Sequence, residues 1–498
     1  LTKPTSATRA VVVDDVIDLP AARPPRRVPS IAVWLLLAGI AALCSVMLFT
    51  DLDRITVGIT TLVLMILLLA AGVPIGFAMI SSSIVGLLSL SGGRVATAST
   101  SAIVYDTVAS WTLNVVPLFV LMGVAMWKGG VTARAYAAAR QWMSWMPGGL
   151  AVATNFSGAA LATASGSTLG ITFALTRMSL PEMLSRGYKP SLATGAVTMA
   201  GTLGQIIPPS ILMIIYAGVV SVPVGPQLLA GVVPGILLAV GFTVTIVLWA
   251  TFQPSAAPRS GDDITWRSRA ASLPGVIPLG LVVVTVIGGM AFGLVTATES
   301  AALGALIALV VSWAMLGRGN RGPRSTLVYI RDTVLGTVTS IAGLFIILIG
   351  AAMITRVLTL SGLAPAITKE LLDLNLSRVE LLLVLIVAYI ILGMFLESLP
   401  MILLTVPILQ APLEAMGVDM IWFGVFLVIM CEIGMVFPPI GMLVFVVHRL
   451  AQDPDISQGV RVTLNDVYKG VMPFVAVTVL ITVGLIVWPD IVMWLPNQ

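Results

Sequence analysis

The chain has 498 residues, 58% of them hydrophobic and only 10% charged, with a mean hydropathy of +1.06. Soluble domains carry about a quarter charged residues, so composition excludes them and requires a polytopic membrane protein whose first partner is the lipid bilayer. The net charge of +4 is no nucleic-acid face, because the basic residues are spread between apolar segments with no Lys/Arg cluster interleaved with aromatics.

Residues 1–30, with RPPRRVPS at their end, read as a disordered basic tail. The run IAVWLLLAGIAALCSVMLF that follows is too long for a signal h-region and has no clear cleavage site after it. The spacing therefore predicts an N-terminal transmembrane helix within 31–54. Further apolar runs fall near 55–70, 72–90, 113–127, 148–180, 192–218, 227–251, 274–290, 293–315, 333–356, 379–412, 419–447 and 470–489. About 20 apolar residues cross a hydrocarbon core of about 30 Å. The runs 148–180 and 379–412 are too long for one crossing and hold small or polar residues midway, which predicts re-entrant helical hairpins. The runs 192–218 and 419–447 contain LGQIIPPSILM and IGMVFPPIGML, each a Gly followed by a Pro-Pro pair, and read as broken helices. Cys44 and Cys431 lie within apolar runs, which fits packing residues rather than a disulfide or a metal site.

An offset of 230 residues carries Pro208 onto Pro438, Pro209 onto Pro439, Gly204 onto Gly434 and Gly187 onto Gly417. Upstream, PLFVLMG ending at Gly123 resembles GLFIILIG ending at Gly350. The remaining Pro-Pro, Pro24–Pro25, is in the tail, so the pairs carry the case for an internal duplication. Charge then sets orientation. Arg177, Arg186 and Lys189 follow the first hairpin, whereas Glu414 and Asp419 follow the second. By the positive-inside rule the first hairpin opens to the cytoplasm and the second away from it. Arg259, Arg267 and Arg269 mark one cytoplasmic turn, and Arg318, Arg321 and Arg324 the next, which puts the N-terminus inside and the C-terminus outside. The expected plan is an all-α membrane protein with inverted repeat 1 at 55–251, a cytoplasmic linker at 252–273 and inverted repeat 2 at 274–498. Inverted repeats with broken helices are common in secondary transporters.

Pro208 and Pro209 donate no N–H, so the carbonyls near Gly204 and Gln205 lose partners. A helix unwound at mid-membrane offers carbonyls to a cation at one end and N–H groups with a positive dipole to a carboxylate at the other. A kink repaired by neighbours is the plain alternative. The first hairpin turn adds the hydroxyls of Ser165, Ser167 and Thr168 and a flexible glycine, Gly166, and the same offset sets Glu397 and Ser398 opposite Ser167 and Thr168. Glu299, Glu397 and Glu432 are acids at membrane depth, each either functional or a helix cap or interhelical hydrogen-bond partner. Arg356 fits snorkelling to the interface.

The motifs GVPIGFAM (72–79), SGSTLGITFALTRMSLPEMLSRGY (165–188), GTLGQIIPPSILMIIYAG (201–218), GLVTATESAALGAL (293–306), LGMFLES (392–398), EIGMVFPPIG (432–441) and TLNDVYKGVMPF (463–474) follow one another in this order. Together they resemble the large membrane subunit of tripartite ATP-independent periplasmic (TRAP) transporters. The resemblance implies an elevator-type carrier of the bacterial inner membrane, with a moving block and a scaffold, coupled to sodium and holding no other cofactor. It implies a small four-helix membrane subunit and a periplasmic binding protein that delivers a small solute, usually an organic acid. It places Ser165, Gly166, Ser167, Thr168, Gly201, Thr202, Gly204 and Pro208 in one sodium half-site, and Glu397, Ser398, Gly434 and Pro438 in the other; Pro209, Glu432 and Pro439, from the residues themselves, join the expected sodium and substrate site. Thr296, Thr298 and Glu299 match the family's Thr-Glu motif beside them, and the sodium ions would sit on the carbonyls near Gly204 and Gly434.

Some positions depart from the family pattern. Gly170, Ile171 and Phe173 stand where small residues and Thr are usual, and Glu397, Ser398 and Leu399 where Asp and small residues are usual. These changes bear on the solute pocket. The helix at 31–54 is an addition, and no four-helix subunit precedes it, so that partner is expected as a separate chain. A stand-alone ion-coupled carboxylate transporter of the same repeat plan is the alternative. A membrane-embedded enzyme is more distant, since the single histidine, His448, leaves no metal site and HExxH is absent.

Overall fold

In the computed structural model the described residues are 30–258, 265–316, 322–374 and 376–498, and every regular element among them is helical. The basic tail up to residue 29 and the loop arginines Arg259, Arg318 and Arg321 lie outside the described residues. Among the described residues six helices are long and apolar enough to cross a membrane, or eight if two bent pairs each count as one span.

Three helices open the described residues: α1 (Ser30–Phe49), α2 (Arg54–Ala70) and α3 (Ile75–Val108). Asp53 starts α2 by accepting the Thr56 N–H at 3.1 Å, satisfying one of the donors that a helix start leaves free. The α3 helix is 34 residues long, well past the apolar run that announces it, and breaks at Gly92 (φ 72°). It packs along α16 (Pro323–Ser361), a 39-residue helix.

The helix α4 (Val115–Lys128) turns by 66° into α5 (Val131–Met143). α5 is amphipathic, and its sequence, VTARAYAAARQWM, lies outside every apolar run. Glu182 pins it, pairing with Arg140 at 2.5 Å and accepting from the Tyr136 hydroxyl at 3.1 Å. The segment α12 (Trp266–Ser272) joins the same layer, with Trp142 and Trp266 edge to face at 6.2 Å. It is bent by 52° from α13 (Ile277–Val283) and α14 (Gly289–Ala291). The stretch expected as a linker, 252–273, therefore holds helix where it is described.

Both long apolar runs resolve into two helices about a tight link. The first is α6 (Gly149–Ser165) and α7 (Thr168–Ser185); the second is α18 (Arg378–Gly393) and α19 (Ser398–Ala415). In the second, the Tyr389 hydroxyl donates to Thr405 Oγ1 across the pair at 2.7 Å. Each hairpin ends on a left-handed glycine. After Gly187 (φ 79°) the Tyr188 N–H reaches Met183 O at 3.0 Å, and after Gly417 (φ 71°) the Val418 N–H reaches Leu413 O at 2.9 Å. A β-carbon is strained at such positive φ, so glycine permits these caps.

Both expected broken helices are also present: α8 (Pro190–Thr202) and α9 (Ile211–Val220) around one Pro-Pro, α20 (Met420–Gly434) and α21 (Met442–Leu450) around the other. The 230-residue offset carries the first residues of α7 and α8 onto those of α19 and α20. Across the molecule α19 packs on α9 and α7 on α21. At the crossing of α18 and α20, a β-carbon on Gly393 would lie 2.6 Å from Gly434 Cα, so only glycines allow this approach. The remaining helices are α10 (Val224–Ala230), α11 (Val232–Phe252), α15 (Ala297–Met315), α17 (Leu363–Asp373), α22 (Pro454–Ser457), α23 (Leu464–Val487) and α24 (Asp490–Met493). Of these, α23 lies against α8 and α11, closing the core around the breaks.

Candidate functional site

The first break follows from the missing amide hydrogens. Pro208 and Pro209 would be the donors four residues after Gly204 and Gln205. The Ile207 N–H goes back to Leu203 O at 3.1 Å, and the Gln205 carbonyl is taken by the Ser210 hydroxyl. The expectation of two orphaned carbonyls is thus corrected: Ser210, which also caps α9 by accepting from Met213 N at 3.3 Å, claims one, and Gly204 is left without the donor Pro208 lacks. Two side-chain oxygens here, Thr172 Oγ1 and Gln205 Oε1, are buried without a hydrogen-bond partner. Thr172 packs so closely on Gly201 that a β-carbon there would lie 1.9 Å from its hydroxyl. Gly204 sits against Ile171 and Ser167 of the first hairpin.

At the second break the Gly434 carbonyl takes only the Phe437 N–H, at 3.3 Å, and Met435 O takes the Leu443 N–H at 3.1 Å. Tyr468 of α23 donates to the Pro439 carbonyl at 2.6 Å and lies within 3.1 Å of that of Ile440. Pro208 and Pro209 are buried, Pro438 is half-buried and Pro439 exposed, and both Pro-Pro bonds are cis.

The hairpin tips meet at one acid. Glu432 on α20 is 2% exposed. It accepts from Thr168 Oγ1 at 2.8 Å and from Ser398 Oγ at 3.4 Å. Thr168 and Ser398 are the first residues of α7 and α19, so each donor stands at a helix start, where partial positive charge favours an acid. Beside them Gly166 is left-handed (φ 56°) at the end of the helix that Ser165 closes, and Ser167 caps α7 through the Gly170 N–H at 3.3 Å. Thr202 spends its hydroxyl on Met199 O at 2.7 Å. Glu397 precedes α19 at the N-cap position but is exposed and makes no side-chain cap.

The Thr-Glu motif stands apart from this cluster. Glu299 takes the Thr296 N–H at 2.8 Å and its hydroxyl at 2.9 Å, closing a capping box at the start of α15. Thr296 and Thr298 line a cavity of about 250 Å³ with Trp111 and Pro223. A second cavity, of about 330 Å³, lies among α3, α9, α16 and α19, lined by Asp106, Ser110, Ile215, Thr355 and Leu403 among others. That is within the range of small-solute pockets.

With this geometry in place, comparison with known proteins decides the family. The profile of the family described as "Tripartite ATP-independent periplasmic transporter, DctM component" matches residues 62–491. The chain belongs to this family. It is similar to the C4-dicarboxylate TRAP transporter large permease protein DctM of Vibrio cholerae, 29% identical over 87% of this chain and 96% of that one. It is similar also to the DctM protein of Pseudomonas aeruginosa, 30% identical over 79% of this chain and 88% of that one. Among solved structures, the YdaH transporter of Alcanivorax borkumensis shares the fold, with a TM-score of 0.58 at 16% identity over 81% of this chain and 90% of that one. The chain is thus a TRAP large permease subunit and a multi-pass membrane protein, in a family of permeases rather than enzymes.

Two residues beside the helix breaks are not singled out by the sequence. Thr172 stands four residues after Thr168, on the same helix face, a signal that was available. Tyr468 is 29 residues from the Pro439 carbonyl it holds, and no local pattern announces that contact.

Proposed function

We propose that this chain imports an organic acid with sodium, receiving the solute from a periplasmic binding protein and working with a small four-helix membrane subunit in the bacterial inner membrane. Its N-terminus faces the cytoplasm and its C-terminus the periplasm. Two inverted repeats, 55–251 and 274–498, supply one hairpin and one broken helix each. The block bearing the hairpins moves against the remaining helices as an elevator.

One observation carries the reading: the tips of both hairpins converge on Glu432, between two helix breaks. At the first break the Gly204 carbonyl, Thr172 Oγ1 and Gln205 Oε1 are oxygen donors of the kind a hard cation takes. At the second, the Gly434 carbonyl is the corresponding oxygen. The starts of α7 and α19 offer N–H groups and positive dipole to a solute carboxylate. The offset shared by α7 with α19 and α8 with α20, and the reciprocal packing of each hairpin on the other half's broken helix, support the repeats. The C4-dicarboxylate named for the two relatives supports an acid as the solute class.

The test is uptake into proteoliposomes holding this chain with its small subunit, using the solute that the cognate binding protein carries. Uptake should require the binding protein and an inward sodium gradient. Equal rates with potassium would overturn the coupling. Uptake without the binding protein would instead favour a stand-alone carrier.

A further inference from the structure

Glu432 does something in this geometry that ion and solute binding do not require. None of the ion pairs among the described residues includes it. Its oxygens take hydroxyls from opposite halves of the chain, one 264 residues away and one 34. The hold is unequal: Thr168 reaches it at 2.8 Å, Ser398 at 3.4 Å. Ser398 also has a weaker alternative acceptor, Met435 Sδ at 3.5 Å. The tips differ in the same sense. α6 passes to α7 through Gly166 and Ser167, buried and half-buried. α18 passes to α19 through residues 394–397, where Phe395 is 68% exposed and Glu397 lies at the surface.

We propose that Glu432 is a positioning residue that pins the tip of the first hairpin firmly and that of the second releasably, making the second hairpin the gate over the site. This rests on the reading of these tips as the transport site. A buried hydroxyl–carboxylate bond of normal length is costly to break, whereas one near 3.4 Å is at the limit of hydrogen bonding. When Ser398 lets go, the four-residue link allows the start of α19 to swing while Thr168 keeps α7 on α20. By the loop charges, α19 runs from this tip to the periplasmic face, where solute would arrive.

The experiment uses the full chain in lipid nanodiscs, with Cys44 and Cys431 replaced by alanine and a reporter introduced as Met401→Cys, in the first turn of α19 where the side chain is fully buried. Maleimide labelling is timed in sodium chloride and in potassium chloride. Ser398→Ala and Glu432→Gln should each speed labelling about fivefold, the worth of one modest hydrogen bond. Ser398→Thr should restore the slow rate, and Thr168→Val should leave it within about twofold. Unchanged labelling in Ser398→Ala would overturn the proposal even if Glu432→Gln failed to fold. So would a Thr168→Val rate as fast as that of Ser398→Ala, because it would show general loosening. In the reporter background sodium should slow labelling relative to potassium. If the two salts give the same rate while the variants behave as expected, the sodium reading fails and the gate stands.

Discussion

Three acids that look alike in the sequence end in three environments. Glu299 closes a cap, Glu397 faces outward, and Glu432 is buried between two hydroxyls. Nothing local separates them, because each sits beside small residues in an apolar run; what separates them is which helix starts converge. Thr172 offers the sharpest test at this scale. Its hydroxyl is buried without a partner, so removing it relieves an unsatisfied group. In Thr172→Val, thermal stability in potassium should be unchanged or up by about 1 kcal/mol, while the sodium concentration for half-maximal uptake rises about tenfold. A structural hydroxyl would show the reverse: lost stability and unaltered sodium dependence.

Among the elements, the breaks and hairpins were legible because they violate a rule. A Pro-Pro inside an apolar run, or a run too long to cross once, has few physical solutions. α5 was not legible, since half of its face is polar and hydropathy alone passes over it. α3 and α16 outrun their apolar cores because the added turns, small and polar in α3 and charged in α16, carry little hydrophobic signal. Of the site, the tips and broken segments could be read, but not the partners that use up carbonyls, such as Ser210 and Tyr468. The break itself predicts a response. Pro208→Ala supplies an N–H four residues after Gly204, and that bond would occupy the carbonyl assigned to the cation. Sodium affinity measured by uptake should fall about tenfold, the scale of one lost charged contact. Unchanged affinity would remove Gly204 from the site.

At the scale of the whole molecule, the inverted plan makes a claim about sides. Ser185 and Ala415 are both exposed, end α7 and α19, and are 230 residues apart. Cysteines placed there, one at a time, should label from opposite faces: Ser185→Cys only after impermeant reagent reaches the cytoplasm, Ala415→Cys from the periplasm. Labelling from one face would end the inverted reading. The 39-residue helix α16 sets where such faces can be. At 1.5 Å per residue it is about 58 Å long, nearly twice a hydrocarbon core of about 30 Å. Between Asp332 and Arg356 its sequence has no charge, a stretch of 23 residues, and this alone matches the lipid. The turns before Asp332 must therefore stand clear of the acyl chains, and Tyr329 there donates to the Ala125 carbonyl of α4 at 3.2 Å. A helix that outreaches the lipid and is tied to α4 beyond it offers a ruler against which the height of the other elements can be measured.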